Sequence, residues 1–470
     1  MPSASAALAG AALWVCLEWG RGWLIPGFGW NNLGVALYGN PLAQWAEYFG
    51  VTALAFIPAV FSVWLWRVCR RAGTMIVHEG RRTVPWDFFI LVAVLLTMFV
   101  VGVCWTARYS PVCRGYETAG LPFPSAVQLN LMKENGIRPT GSIYRAAGHT
   151  EWNAGSSKPR SGTGGQKRRG SLLDIWHGSS GRKPFCFTFT VIPRGTLPVR
   201  TMSTFWRGRG LLMPSGGDMS YLTGTDDIYL SDEGRVARAY NCLTVFEGDY
   251  STARPHAKAM LVPFGEYIPM RETFPFLEKA FEASAGTAMG LNYTPGRSSS
   301  PVPVPIRPGS SSTVGVIPLV CFEDVVGSWV RRFVRQEPQL MVNVTNDGWF
   351  NRSCANEQHW RNAAFRCIEL RRSMVRAANT GVSVALAPNG AVIADLRDSS
   401  GSPFTRGVMA ATLPVGCTEI TLYAMLGDWA VLVCFLAFAV LLLRRIGAGK
   451  RVHGPVEDGV YRRSTGATPR

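Results

Sequence analysis

A cysteine at the end of an apolar run is the residue in this chain whose setting most suggests chemistry. Cys321 follows the run VIPLV of residues 316–320, and Phe322, Glu323 and Asp324 come directly after it. A short β-branched run predicts a buried strand, so we expect Cys321 where that strand gives way to a loop. Two interpretations are open for this residue alone. Free cysteine often packs as a small buried hydrophobe, whereas a thiol at a strand end can also serve as a nucleophile.

Two further stretches carry the partners that a nucleophilic cysteine needs. Lys258 opens the stretch KAMLVPFGEYIP, with Glu266 eight residues later, and NVTNDGWF spans residues 343–350. We expect the apolar residues that follow Lys258 to form a strand. A thiol of pKa about 8.5 is mostly protonated at neutral pH. A carboxylate can take its proton, and an ammonium group can stabilise the thiolate and an oxyanion. Cysteine, lysine and glutamate together therefore suit acyl transfer from an ester to an amine in two half-reactions.

Four strongly apolar segments frame these stretches, near residues 5–24, 50–66, 86–106 and 421–443. Each is close to the ~20 residues that cross a bilayer as a helix. Residues 6–24 lack the basic start and small-residue cleavage site of a signal peptide. The sequence therefore predicts retained membrane helices on both sides of a globular domain.

The stretch between the membrane segments alternates strand and helix patterns. We predict short strands with Asp/Gly turns over 220–250, buried strands within 300–324 and 338–350, and a helix over 355–376. A Pro-Asn-Gly turn at 388–390 predicts a hairpin. Such alternation is typical of layered α/β domains.

Composition excludes several classes of function. The eleven cysteines include no CxxC pair or His/Cys cluster, so we predict no disulfide framework, no metal and no organic cofactor. Of the net charge of +17, +11 lies in residues 135–217. Aromatic residues are not interleaved there as a base-stacking surface requires, so we predict no nucleic-acid partner.

Basic residues predict the topology. A short loop joins the second and third apolar segments, with Arg67, Arg70 and Arg71 at its start and Arg81 and Arg82 at its end. A basic tail follows residue 443. By the positive-inside rule both face the cytoplasm. Residues from about 108 to 420 are then expected outside the cytoplasm.

Taken together, the three stretches resemble the membrane-bound branch of the carbon–nitrogen hydrolase (nitrilase) superfamily, the apolipoprotein N-acyltransferases. The resemblance covers residues 13–107 and 220–445, and it includes LEWxRGWLxxGFxW near the start of the chain. It implies a four-layer αββα sandwich inserted between transmembrane helices. It also implies Cys321 as nucleophile, Lys258 as the group that holds the tetrahedral intermediate, and Glu266 and Glu323 as residues that orient the lysine and the cysteine loop. The family more often has Tyr where this chain has Phe322.

The resemblance implies an acyltransferase of the bacterial inner membrane. A phospholipid would be the acyl donor, and the amine of a diacylglyceryl-modified apolipoprotein the acceptor. Two alternatives are open: a membrane-tethered amidohydrolase that uses water, and an inactive lipid- or lipoprotein-binding homologue. The expected domains are membrane helices at 1–107, about three in a bundle shortened at its start, a catalytic domain at 108–420, a helix at 421–445 and a cytoplasmic tail at 446–470.

Residues 108–219 do not fit the resemblance. The family's general base is a Glu in a Pro-Glu-Thr/Ser-Ala loop, but no Glu lies between Glu151 and Glu233, and Glu117 follows the membrane helix too closely. We predict that this segment shows neither strand nor helix periodicity and is translated out of frame. The chain as written would then lack its base and part of its central sheet, and would be inactive.

Three further features have open interpretations. Glu18 and Arg21 lie on one helical face, either as an interfacial pair or as substrate contacts. Asn346-Asp347 is either a plain turn or a loop near the nucleophile. We predict that His359 is structural, because no catalytic partner lies at a recognisable spacing.

Overall fold

The structure is a computed structural model, and it describes residues 4–24, 28–77, 86–109, 126–133, 185–188, 220–230, 236–247, 252–270, 273–274, 276, 293–297, 300–305, 313–378, 381–405, 407–415 and 417–452. Its α-helices are α1 (Ala4–Arg21), α2 (Ala46–Leu54), α3 (Phe56–Val77), α4 (Trp86–Arg108), α5 (Gly327–Val330), α6 (Ala355–Leu370), α7 (Leu422–Leu426) and α8 (Trp429–Val452).

Twelve strands form two six-stranded mixed sheets. They are β1 (Ala126–Lys133), β2 (Phe185–Thr188), β3 (Ser220–Leu230), β4 (Val236–Glu247), β5 (Thr252–Ala257), β6 (Val302–Pro305), β7 (Thr313–Val320), β8 (Gln339–Thr345), β9 (Ser373–Ala378), β10 (Val384–Leu386), β11 (Val392–Asp395) and β12 (Gly407–Pro414). The first sheet runs β12-β1-β2-β3-β4-β5 and the second β11-β10-β9-β8-β7-β6. In the second sheet β7, β8 and β9 are parallel neighbours.

The two sheets pack face to face, and a helix covers the second one. Leu222 and Val245 of the first sheet share a core with Val316, Val342 and Val375 of the second. The opposite face of the second sheet packs on α6. Strands β7 and β8 are buried on both faces, as parallel strands between two layers must be. The predicted α/β sandwich inserted between membrane-length helices is confirmed.

Helix α6 also joins the sandwich to the membrane helices. Its Phe365 and Ile368 pack with Val51 and Leu54 of α2. At its C-terminal end Arg371 forms a salt bridge of 2.6 Å with Glu47. The same helix therefore contacts the second sheet on one side and the membrane segments on the other.

Three of the four apolar segments lie in candidate membrane spans, and the segment near residues 5–24, which the structure describes, does not. In the described residues, Phe88–Arg108 and Trp429–Gly447 each qualify as a span by length and composition. A third candidate is the bent pair Pro41–Leu54 and Phe56–Arg70, whose parts meet at 66°, as in a broken span or a re-entrant loop. Residues 41–49 fall within this bent pair.

Three secondary-structure predictions need correction. Residues 220–230 and 236–247 form two long antiparallel strands, and Asp226 and Asp227 lie within β3 rather than in a turn. The helix predicted over 355–376 ends at Leu370, because Arg371 takes a left-handed conformation and β9 begins at Ser373. Lys258 follows β5 directly, whereas we had predicted that the LVPFGEY stretch after it would be a strand.

The prediction for residues 108–219 is wrong in part. AVQLNLMK (126–133) forms β1, which pairs antiparallel with β12 along its whole length. FCFT (185–188) forms β2, which is parallel to β1 and β3. The apolar/polar alternation of β1 was the signal that we missed. Both strands lie in the first sheet, so the expectation that these residues leave a gap there is not met. Glu117 and Glu151 lie outside the described residues.

Candidate active site

Cys321 sits on a sharp turn at the carboxyl end of β7. Its φ of +49° is left-handed, which is uncommon for a residue other than glycine, and a 3₁₀ turn of residues 321–325 follows. Asn343 of the neighbouring strand donates a hydrogen bond of 2.9 Å from Nδ2 to the Cys321 carbonyl oxygen. The strained backbone thus presents a half-buried cysteine where parallel strands end, which is the edge that binds ligands in many open α/β sheets.

Glu323 ties this turn to the segment after Lys258. Its Oε1 accepts hydrogen bonds from the backbone N–H groups of Ala259 at 2.8 Å and Met260 at 3.2 Å. Its Oε2 accepts from the Val320 N–H at 2.9 Å. The carboxylate is fully buried. One side chain therefore fixes both the cysteine turn and the 258–260 segment.

Lys258 and Glu266 form a buried ion pair. Lys258 Nζ donates to both carboxylate oxygens of Glu266, at 2.9 and 2.7 Å. Glu266 also accepts from Asn241 Nδ2 at 2.9 Å and from the Val262 N–H at 2.8 Å. These contacts hold the lysine ammonium in one position without exposing it to solvent.

The electrostatics link Lys258 to Cys321. Burial raises the pKa of the Cys321 thiol above its ordinary value, and the Lys258 charge offsets part of that rise. Burial alone would lower the pKa of Lys258, but Glu266, together with Cys321 and Glu323, raises it above the ordinary value. Lys258 is therefore a cation that stabilises negative charge at the sulfur.

A buried charge cluster lies beside Cys321, and sequence reasoning neither named its arginine nor predicted that its members meet. Arg376 of β9 contacts Asp324 and Asp347, the latter at 2.9 Å. His359 of α6 places Nδ1 2.8 Å from Asp347 and Nε2 3.1 Å from Asp324. All four side chains are fully buried. The available signal was an arginine inside the apolar run SMVRAA of residues 373–378, because a buried charge needs a partner.

The contacts in this cluster bear on the interpretations of Asp347 and His359. Asp347 is buried and accepts a hydrogen bond from Thr345 at 2.9 Å, so it is more than a turn residue. His359 does have partners, which are distant in sequence, and its contacts agree with a structural role. Three potential metal-ligating atoms, one each from Cys321, Asp347 and His359, lie within 4.8 Å of one another. Both His359 nitrogens already face carboxylates, and Arg376 supplies the cation there, so the donor set does not favour a metal.

A loop from the membrane segments packs on the cysteine turn. The carboxylate of Glu18 accepts from the Leu33 N–H at 2.9 Å, and Arg21 donates to the Trp30 carbonyl at 2.9 Å. Between these anchors the ring of Phe28 stacks on Phe322 with centroids 5.2 Å apart. Glu18 and Arg21 therefore position an aromatic loop against the residue next to Cys321.

A cavity of about 740 Å³ adjoins the turn, a volume typical of small-molecule sites. Its walls combine the sandwich with the membrane segments: Phe322, Met260 and Ile268 lie on one side, and Trp19 and Trp23 of the α1 region on the other. Cys321 is not in the lining itself. The cavity therefore reaches the residue beside the cysteine from the side of the membrane helices.

Comparison with known proteins finds one family at several places along the chain. Residues 2–64 match the model of the apolipoprotein N-acyltransferase N-terminal domain. The chain is 29% identical to the apolipoprotein N-acyltransferase of Bradyrhizobium diazoefficiens over 96% of this chain and 75% of that protein. It is 30% identical to that of Geobacter metallireducens over 80% and 63%, and 26% identical to that of Pasteurella multocida over 93% and 74%. Over most of its length the chain is therefore similar to apolipoprotein N-acyltransferases. It spans about two thirds to three quarters of the length of these three relatives.

Two solved structures are also similar to the chain. They are the NitN amidase from Neterenkonia sp. AN1, at 14% identity and a TM-score of 0.35, and the C. elegans NitFhit protein, at 12% and 0.37. The match covers 64% of this chain and 95% of the amidase, and 65% of this chain and 64% of NitFhit.

The structure brings Lys258, Glu266 and Glu323 together with Cys321, although they come from two separate stretches of the chain. Their catalytic roles stay a prediction. The residues that sequence reasoning missed are Asn241, Asn343, Thr345 and Arg376, which support the site from neighbouring strands.

Proposed function

We propose that this protein is a phospholipid:apolipoprotein N-acyltransferase in which Cys321 carries the acyl chain. The observation that carries the proposal is the Lys258–Glu266 pair, held at 2.7–2.9 Å, together with Glu323, which ties the Lys258 segment to the Cys321 turn. The relatives named above favour neither a water-using amidohydrolase nor an inactive homologue.

The first half-reaction would form a thioester. The Cys321 thiolate attacks the ester carbonyl of a phospholipid, a carbon–sulfur bond forms, and the tetrahedral intermediate carries an oxyanion. The Lys258 ammonium stabilises that oxyanion, and Glu266 keeps the ammonium in place. When the ester carbon–oxygen bond breaks, the leaving alkoxide takes up the thiol proton and departs as a lysophospholipid.

The second half-reaction would transfer the acyl chain. The neutral amine of a diacylglyceryl-modified apolipoprotein attacks the thioester and forms an amide. The amine loses a proton, and the sulfur leaves and becomes a thiol again. Glu323 would keep the turn in one position through both steps, because correct placement of the reacting atoms contributes much of such a rate enhancement.

The cavity supports a lipid substrate. Its apolar wall of Met260, Ile268 and Phe322 lies opposite tryptophans that are exposed on the surface of the membrane segment. An acyl chain could therefore pass from the bilayer to the neighbourhood of Cys321 without crossing water. We place the protein in the inner membrane, with the sandwich outside the cytoplasm, from the arginines of residues 67–82 and the basic tail.

The test is acyl transfer by the purified chain in phospholipid vesicles. A diacylglyceryl-cysteinyl peptide serves as acceptor, and mass spectrometry measures its N-acylation. We expect Cys321→Ala and Lys258→Met to lower transfer by about 10³-fold or more. The matched control is Cys104→Ala, which removes an exposed thiol from α4. Full transfer by Cys321→Ala would refute the proposal.

A further inference from the structure

The buried cluster beside Cys321 has a charge balance that depends on Arg376. Its guanidinium contacts Asp324, which follows Glu323 directly, and places Nη2 2.9 Å from Asp347. Arg376 and Cys321 also interact electrostatically. Arg376, Asp324 and Asp347 have no solvent exposure, so their charges are weakly screened.

His359 completes the charge balance of the buried cluster. Arg376 with Asp324 and Asp347 would leave one net negative charge, which is costly in a buried site. Each ring nitrogen of His359 lies within 3.1 Å of a carboxylate oxygen. A neutral imidazole can donate through only one nitrogen. Burial and Arg376, whose Nη2 lies 2.6 Å from Nδ1, lower the pKa of His359, but Asp347 and Asp324 raise it above its ordinary value, so the imidazolium is favoured. With His359 protonated the cluster is neutral.

Asp347 brings the cluster close to the sulfur. The Thr345 hydroxyl donates to Asp347 Oδ1 at 2.9 Å, and a carboxylate oxygen of Asp347 lies within 4.8 Å of the Cys321 sulfur. Any uncompensated negative charge on Asp347 would therefore act on the sulfur from a neighbouring position.

We propose that Arg376 is a positioning residue for Cys321: it neutralises Asp324 and Asp347 beside the sulfur and so favours formation of the reactive thiolate. The inference rests on the proposed nucleophile. Asp347 and Glu266 disfavour the thiolate, while Lys258 and Arg376 favour it. In agreement, Arg376 and His359 keep the pKa of Asp347 well below its usual range, although burial alone would raise it.

The experiment measures thiol reactivity without any lipid substrate. The detergent-solubilised protein is alkylated with iodoacetamide between pH 6 and 10.5, and mass spectrometry follows the peptide that contains Cys321. We expect Arg376→Met to move the midpoint of the rate profile up by about one pH unit, which lowers the rate at pH 8 about tenfold. Arg376→Lys keeps the charge and should leave the midpoint within about 0.3 unit.

A charge-balanced double variant separates electrostatics from damage to the fold. Arg376→Met/Asp347→Asn removes one charge of each sign, so we expect its midpoint to return to that of the wild type. Asp347→Asn alone should move the midpoint down. Near-ultraviolet circular dichroism reports whether Arg376→Met folds, and if it does not, Asp347→Asn still tests the inference.

Unchanged midpoints in folded Arg376→Met and in Asp347→Asn would overturn the inference. Its failure is distinct from failure of the proposed function. Normal acyl transfer with unchanged midpoints contradicts only the role of Arg376, whereas shifted midpoints without acyl transfer contradict only the acyltransferase.

Discussion

At the scale of single residues, Glu323 makes the contacts on which the cysteine turn depends. Its two oxygens accept three backbone hydrogen bonds, from residues 259, 260 and 320. Glu323→Gln keeps the volume but places an amide donor against an N–H donor. A buried donor left unsatisfied costs about 1–3 kcal/mol. We expect a lower unfolding temperature and at least tenfold slower transfer, whereas Glu337→Gln on the surface should change neither. Unchanged stability and transfer in Glu323→Gln would contradict this role.

Lys258 gives a prediction on pH. Because burial raises the pKa of the Cys321 thiol and Lys258 offsets part of the rise, the neutral thiol dominates at pH 7 and reactivity increases toward alkaline pH. Lys258→Met removes the offset, so the midpoint of Cys321 alkylation should rise by about one pH unit or more. Arg332→Met, which removes an exposed cation elsewhere in the domain, is the control. A midpoint that falls in Lys258→Met would show that the lysine does not stabilise the thiolate.

At the scale of elements, the junction of α6 with α2 holds the sandwich against the membrane helices. Arg371 donates to Glu47 at 2.6 Å and to Gln44 at 2.7 Å, and its guanidinium lies 4.1 Å from the centre of the Tyr109 ring. Arg371→Met would leave the Glu47 carboxylate mostly buried and without this partner. We expect the free energy of unfolding in detergent to fall by about 3 kcal/mol.

A double variant tests whether the charge is the cause. In Arg371→Met/Glu47→Leu both charges are absent, so most of the lost stability should return. If the double variant is as unstable as the single one, shape rather than charge holds this junction.

The sequence predicted the elements whose pattern is local. The parallel strands around Cys321, the hairpin at Pro388-Asn389-Gly390 and the membrane-length helices all have clear periodicity or turn residues, and the structure contains them. The end of α6 was missed because Arg371 takes a left-handed conformation without a glycine. Strand β1 was missed because its surroundings are basic and rich in turn-forming residues.

The candidate site was predictable only where a motif held its residues together. Lys258 and Glu266 are eight residues apart, and Glu323 follows Cys321 closely. Arg376, His359 and Asp324 come from a strand, a helix and a turn, and they meet only because β7, β8 and β9 are neighbours with α6 packed on them. No spacing in the sequence announces such a cluster.

At the scale of the whole molecule, the topology is a prediction that labelling can test. Single cysteines are placed near residues 74 and 455 and at Trp349, whose side chain is 68% exposed, in a chain without other cysteines. An impermeant thiol reagent added to spheroplasts should label position 349 only. Labelling of position 74 from outside, or of 349 only after lysis, would reverse the orientation.

A second question about the whole molecule is whether residues 108–219 are translated in the correct reading frame. Strands β1 and β2 lie in the six-stranded first sheet, so we expect the chain as printed to fold. The out-of-frame interpretation stays a prediction for residues 134–184 and 189–219, which lie outside the described residues. Resequencing of the coding region decides it.

The most direct measurement of the central claim is the covalent state of Cys321 after incubation with phospholipid alone. The purified protein is mixed with phosphatidylethanolamine vesicles, digested, and examined by mass spectrometry. We predict that the peptide holding Cys321 gains the mass of one acyl chain, that hydroxylamine removes it, and that an equal amount of lysophospholipid appears. Cys104→Ala should behave in the same way, whereas Cys321→Ala should show no adduct. An acyl chain on another residue, or transfer to the peptide acceptor without any adduct on Cys321, would contradict the account.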